Sequence, residues 1–244
     1  MKPKKIFVYI TLLLLSFQNL TGQKSFFFMD NIDVKSSELC LTGELFTPNQ
    51  SIDGATYFNS DWLPGDVYLL NGEIVRNKLI KYNGLLDELF WQEPRSKNVI
   101  KLDKEAILQF HFLNITGDST VYFRKIKVKR STISDSSELF GQVIYEGSLS
   151  LFILRTYKTA GNELIRQNGN LFEKTNYAEE PIYIFRYADN KTFITKSLSR
   201  KRLYAFSPGN KDKIKEFMKA NKAREYKNIP YLRRLTQFLG TIVN

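Results

Sequence analysis

The chain of 244 residues contains one cysteine, Cys40, and one histidine, His111. A single thiol forms no intrachain disulfide, and one Cys with one His falls short of the ligand set that a zinc site ordinarily draws. A Ser-His-Asp or Cys-His arrangement would have to run through His111. That residue lies in ILQFHF on the face opposite Phe110 and Phe112, a placement that reads as structural. Cys40, within SELCLTG, reads as a small buried hydrophobe. G-x-x-x-x-G-K-[ST], G-x-G-x-x-G and G-x-S-x-G are all missing, so these familiar phosphate cradles and the nucleophile elbow are not encoded. The sequence points to no cofactor and no metal.

Only one long apolar run occurs. IFVYITLLLLSF follows the cationic head MKPKK, and residues 1–22 read as a secretory signal peptide cleaved after Gly22. The run is shorter than the roughly 20 residues of a membrane span, and polar NLTGQK follows it, so no transmembrane span is expected after cleavage. A lipoprotein would need a cysteine at the cleavage point, and Cys40 is not there. A chain without disulfides that enters an oxidising compartment fits a bacterial periplasm or outer surface better than a small eukaryotic secreted domain. The expected location is therefore exported: periplasmic, secreted or on the cell surface.

Charge is unevenly distributed. Residues 196–244 hold 13 Lys+Arg against three acids, 13 − 3 = +10, whereas residues 23–195 hold 20 basic and 22 acidic residues, 20 − 22 = −2. Such asymmetry suits an anionic partner of the cell envelope, such as lipid headgroups, lipopolysaccharide or acidic glycan, or else another envelope protein; no nucleic acid is expected. The candidate binding residues are Lys211, Lys213, Lys215, Lys219, Lys222 and Arg224.

Residues 23–60 form an irregular lead-in. Residues 61–118 then alternate apolar and polar positions: VYLL, Asn71-Gly72, EIVRNKLIKY, Asn83-Gly84, DELFWQ, EPRSKN, VIKLD and ILQFHF. Asn-Gly is the preferred pair for a type I′ hairpin turn, and the pattern predicts an antiparallel meander of about five strands with a bulge near Asn77. Its strand order resembles that of a partly open SH3-like barrel, with no signature residue of that group. Residues 119–197 form a second β-rich block, with a loop at STISDSSE and a hairpin turn at Asp189-Asn190. Residues 198–244 change to helical period. Ile214, Phe217 and Met218 mark one short amphipathic helix, while Leu232, Leu235, Phe238, Leu239 and Ile242, after Pro230, mark a second. The fold class is mainly β, with a helical C-terminal segment.

An alternative function is a hydrolase of cell-wall or glycan substrates, using Asp87 or Glu105 beside an aromatic platform at Trp62 or Trp91. Asp87 and Glu88 are adjacent in a strand-like run and would point to opposite faces, which weakens a paired-acid reading. The signal segment, WLPGDVYLLNGEIVRNKLIKYN, DELFWQ with VIKLDKEAI, and the helix pair after YAFSPGNK together resemble a family of exported bacterial β-rich proteins. No activity is established for that family. The resemblance implies an exported protein and carries over no site residue. The expected function is a non-enzymatic cell-envelope protein, binding or structural, with its basic C-terminal surface turned to a partner.

Overall fold

The computed structural model describes residues 41–47, 56–113, 120–129, 136–167, 169–221 and 228–243. The signal segment, Cys40, Lys222, Arg224 and the first part of STISDSSE lie outside them. The described residues build a large, open antiparallel sheet with a layer of short helices.

Eleven strands lie in the order β1-β5-β4-β3-β2-β6-β7-β8-β9-β12-β13. These are β1 (Gly43–Leu45), β2 (Leu63–Leu69), β3 (Ile74–Asn83), β4 (Glu88–Gln92), β5 (Val99–Leu102), β6 (Ile107–Phe112), β7 (Val121–Lys129), β8 (Ser136–Tyr145), β9 (Leu149–Leu154), β12 (Ile182–Tyr187) and β13 (Thr192–Thr195). Between β9 and β12 the chain makes a separate two-stranded ribbon of β10 (Tyr157–Gln167) and β11 (Asn170–Glu179). The two β-rich blocks of the sequence join through the β6–β7 ladder, which pairs Phe110 with Phe123.

The hairpins form where expected, but by different turn chemistry. At Asn71-Gly72 only the glycine has positive φ, at 88°. Gly72 N–H donates to Leu69 O, and Leu69 N–H donates to Glu73 O. Leu70 and Asn71 are thus the central turn residues, and Gly72 takes the left-handed position that closes a three-residue hairpin loop. At Asn83-Gly84 neither residue has positive φ. The Asn83 side chain instead accepts N–H bonds from Leu85 and Leu86, and Asp87 takes the left-handed position with φ 55°. The bulge near Asn77 is present: Asn77 has φ 50°, and the β2–β3 register shifts opposite it.

The first half of the sheet coils upon itself. Its strands bury Val67, Ile80, Tyr82, Phe110, Phe112, Phe123 and Phe140 in one cluster, although β3 and β8 are four places apart in the sheet. Strand β2 packs so closely that a Cβ on Gly65 would lie 2.3 Å from His111 O, leaving room for glycine alone. Asp87 clasps the coil. Past the last β8–β9 pair, Gly141 with Leu154, the ladder runs out, and Asp87 Oδ1 accepts the Phe140 N–H at 3.1 Å. The same carboxylate accepts the Tyr82 hydroxyl at 2.6 Å and the Lys104 ammonium at 2.5 Å.

In the second half, strand β9 reads LSLFIL and is buried along its whole length, as expected for a strand covered on both faces. Leu149, Leu151 and Ile153 face the helices, while Phe152 and Leu154 join Ile126 and Ile184 on the other side. The helices are α1 (Arg200–Phe206), α2 (Lys211–Ala220) and α3 (Ile229–Ile242). The sequence suggests only the last two. Helix α1 has just two buried anchors, Leu203 and Phe206, and no side-chain cap, too little pattern to separate it from a turn. Helix α3 starts where Asn228 Oδ1 accepts the Tyr231 N–H at 2.7 Å and Pro230 occupies the first turn. It buries Leu232, Leu235 and Leu239, each worth about 1.5–3 kcal/mol of transfer free energy. Among the described residues no helix is long and apolar enough to cross a membrane.

Candidate functional site

Helix α2 sorts its charged residues by position around its axis. Ile214 and Met218 face the core, with Phe217 half-buried and stacked on Phe238 of α3 at 4.5 Å. Lys211, Lys215 and Lys219 recur every four residues and form one exposed stripe along the flank of that apolar seam. Lys213 is exposed too, but its place in the helical period puts it on the other flank. The structure thus brings together three of the six cations named from the sequence, separates one and leaves Lys222 and Arg224 outside its described residues.

Further cations join this layer. Arg200, Lys201 and Arg202 of α1 and Arg233 and Arg234 of α3 are exposed. Arg233 Nε donates to Ile144 O at 3.1 Å, which fixes its stem over β8. None of these α1–α3 cations forms an ion pair with a described residue. The sheet behaves otherwise: Lys101 meets Glu44 and Glu88, Arg124 meets Glu146, Arg155 meets Glu179, Lys158 and Lys196 meet Glu180, and Lys191 meets Asp189. Charge on the strands is largely matched across neighbours, whereas the cations of the helical layer form no ion pair among the described residues, although Asp212 and Glu216 share α2 with them. The arginines of α1 and α3 went unnoticed in the sequence because they are far apart in the chain and follow no common period.

Of the two carboxylates of the alternative reading, only Asp87 holds a structural position. Asp87 is committed to Tyr82, Phe140 and Lys104 in the clasp. Burial, with the Asp87 charge and hydrogen bond, pushes the Tyr82 phenol well above its ordinary range and keeps it a neutral donor to that carboxylate. Glu105 is exposed beside Lys125, at 3.9 Å. Trp91 is partly buried against the coil, with its indole N–H enclosed and unpartnered. Trp62 lies elsewhere, on the wall of a shallow hollow with Lys81.

His111 is buried between the rings of Tyr68 and Tyr122, at 5.6 and 5.0 Å, with Nε2 3.4 Å from Asp66 Oδ2. Asp66 also meets Arg76 at 3.4 Å and accepts the Asn77 N–H at 2.8 Å, so the cluster fastens the β3 bulge. Burial pushes the imidazole below its ordinary value of 6.5; the Asp66 charge opposes this and Arg76 reinforces it. A lowered folded pKa means that protons bind the unfolded chain first. The stability held by neutral His111 is therefore complete above about pH 6.5 and declines as the pH falls toward the folded value. Thermal unfolding followed from pH 7.5 to 5 is expected to show this decline, and His111→Gln should flatten it. An unchanged slope in the variant would assign the acid sensitivity to other groups.

Comparison of the chain with protein-family models, with curated proteins and with solved structures finds no match in any of the three.

Proposed function

We propose that this is an exported, non-enzymatic cell-envelope protein whose sheet is a scaffold for a cationic helical surface that binds an anionic envelope component. The observation that supports the reading is the unmatched charge of Arg200, Lys201, Arg202, Lys211, Lys213, Lys215, Lys219, Arg233 and Arg234, set on helices anchored to the second half of the sheet. Unmatched cations on a rigid base are pre-positioned for polyanions, because binding need not first break internal ion pairs.

The test is co-sedimentation of the mature protein with isolated envelope and with vesicles of anionic phospholipid, at low and high salt. Each lysine close to an anionic surface contributes about 1 kcal/mol. Converting Lys211, Lys215 and Lys219 to glutamate is expected to weaken low-salt binding by about a hundredfold and to flatten its salt dependence. All three side chains are exposed, so the variant's melting temperature should stay near that of the wild type. Equal sedimentation of both proteins at both salt concentrations would sink the proposal.

A further inference from the structure

Away from the helices, a hollow of about 220 Å³ opens beside the β3–β4–β5 part of the sheet, lined by Phe46, Tyr57, Trp62, Lys81, Phe90 and Val99. Its walls come from separate stretches of chain. Lys81 and Phe90 are cross-strand partners on β3 and β4 and therefore point to the same face. Tyr57 is held there by its bridge to Asn83, and Phe46 follows β1 and packs its ring 4.5 Å from Phe90. Trp62 enters just ahead of β2.

The one cation among the described residues of this hollow, Lys81, is poorly compensated. Lys81 Nζ lies 4.5 Å over the Tyr57 ring and 5.8 Å from the Trp62 ring, and donates to Ser60 O at 2.5 Å. It forms no ion pair with a described residue. Asp61 is near enough to support the charge, yet burial outweighs it and lowers the ammonium below its ordinary pKa. Lys101, its neighbour on the same face, is already matched by Glu44 and Glu88. An ammonium has three donors, and the Ser60 carbonyl uses one. The hollow thus combines apolar ring-shaped walls with a half-buried cation whose remaining donors are not spent on carboxylates. A small molecule that satisfies both carries a ring for the walls and an anionic oxygen pair for the lysine.

We propose that this hollow is a binding site for a small carboxylate borne on a ring, with Lys81 Nζ meeting the carboxylate and Trp62, Tyr57 and Phe46 packing against the ring. The site is separate from the helical surface and uses none of its residues, so either proposal stands without the other. Acidic sugars and aromatic acids share this chemistry, and two pairs of probes separate them: galacturonate with galactose, and benzoate with benzyl alcohol.

Titration of the mature protein is followed by isothermal calorimetry and by tryptophan fluorescence in a Trp91→Phe background, where Trp62 is the only tryptophan left. At least one of the two acids is expected to saturate with a dissociation constant near or below about 1 mM and to change Trp62 emission. Its neutral counterpart should bind about tenfold more weakly. Lys81→Met should lose a similar factor, while Lys81→Arg retains binding and so separates loss of charge from loss of fold. Saturation by galacturonate alone assigns an acidic sugar, and saturation by benzoate alone an aromatic acid. Saturation by neither acid, or equal affinity in wild type and Lys81→Met, would overturn the proposal.

Discussion

Replacing Asp87 with alanine is expected to lower the unfolding free energy by about 3 kcal/mol, among the largest effects of a single change in this chain. The carboxylate is the acceptor for three donors: the Tyr82 hydroxyl, the Phe140 N–H and the Lys104 ammonium. Truncation leaves all three without it in a mostly enclosed place, and alanine at φ 55° adds a backbone cost of about 1 kcal/mol. For a domain of this size the midpoint of thermal unfolding should fall by about 6–12 °C. Asp87→Asn keeps an acceptor oxygen and tolerates the left-handed backbone, so it should lie between wild type and alanine. If alanine and asparagine cost the same, or alanine costs less than about 1 kcal/mol, the clasp does not hold the coil together.

Truncation of Phe110 to alanine should cost about 4 kcal/mol, measured by denaturant unfolding as a lower midpoint at unchanged slope. Phe110 is fully enclosed and is the hub of the aromatic cluster. Its ring stacks on Phe123 at 4.9 Å and meets Phe140, Tyr82 and Phe112 at 5.1, 5.4 and 5.6 Å. These neighbours come from four other positions in the coil, so no single side chain can relax into the void. Phe110→Leu keeps most of the volume and should cost about 1–2 kcal/mol. A shift in slope together with midpoint would instead indicate that the two halves of the sheet unfold separately.

The parts of this fold that could be read from the sequence are those whose signal is local. Alternation in VYLL, EIVRNKLIKY and ILQFHF marks β2, β3 and β6, and helical spacing marks α2 and α3. Turn chemistry was harder to read. The Asn-Gly pairs mark hairpins, but loop length and the demands of Asp87 and Gly72 moved the left-handed residue away from the asparagines. Helix α1 was hidden by its brevity.

The candidate surfaces divide along the same line. The lysine stripe of α2 is a local, periodic feature and was visible, whereas the exposed arginines of α1 and α3 follow no such period. The hollow around Lys81 was not legible at all. Phe46, Tyr57, Trp62, Lys81, Phe90 and Val99 line one hollow through ladder register and the segments that flank it, and no spacing in the chain announces it.

The strand order has a kinetic side. Strands β2 to β5 pair in sequence along one half of the sheet and β6 to β9 along the other, so most ladders join segments that leave a ribosome moments apart. Loops this short close quickly and at small entropic cost. The seam between β2 and β6 is different, since it must wait until the whole first meander has emerged, and the contact of Asp87 with Phe140 must wait longer still. Each half is thus able to assemble hairpin by hairpin, while the coil that unites them is a late, long-range event. The long-range steps of folding are thus the β1–β5, β2–β6 and β9–β12 ladders and the Asp87 clasp, each of which closes over a longer stretch of chain than the hairpins do.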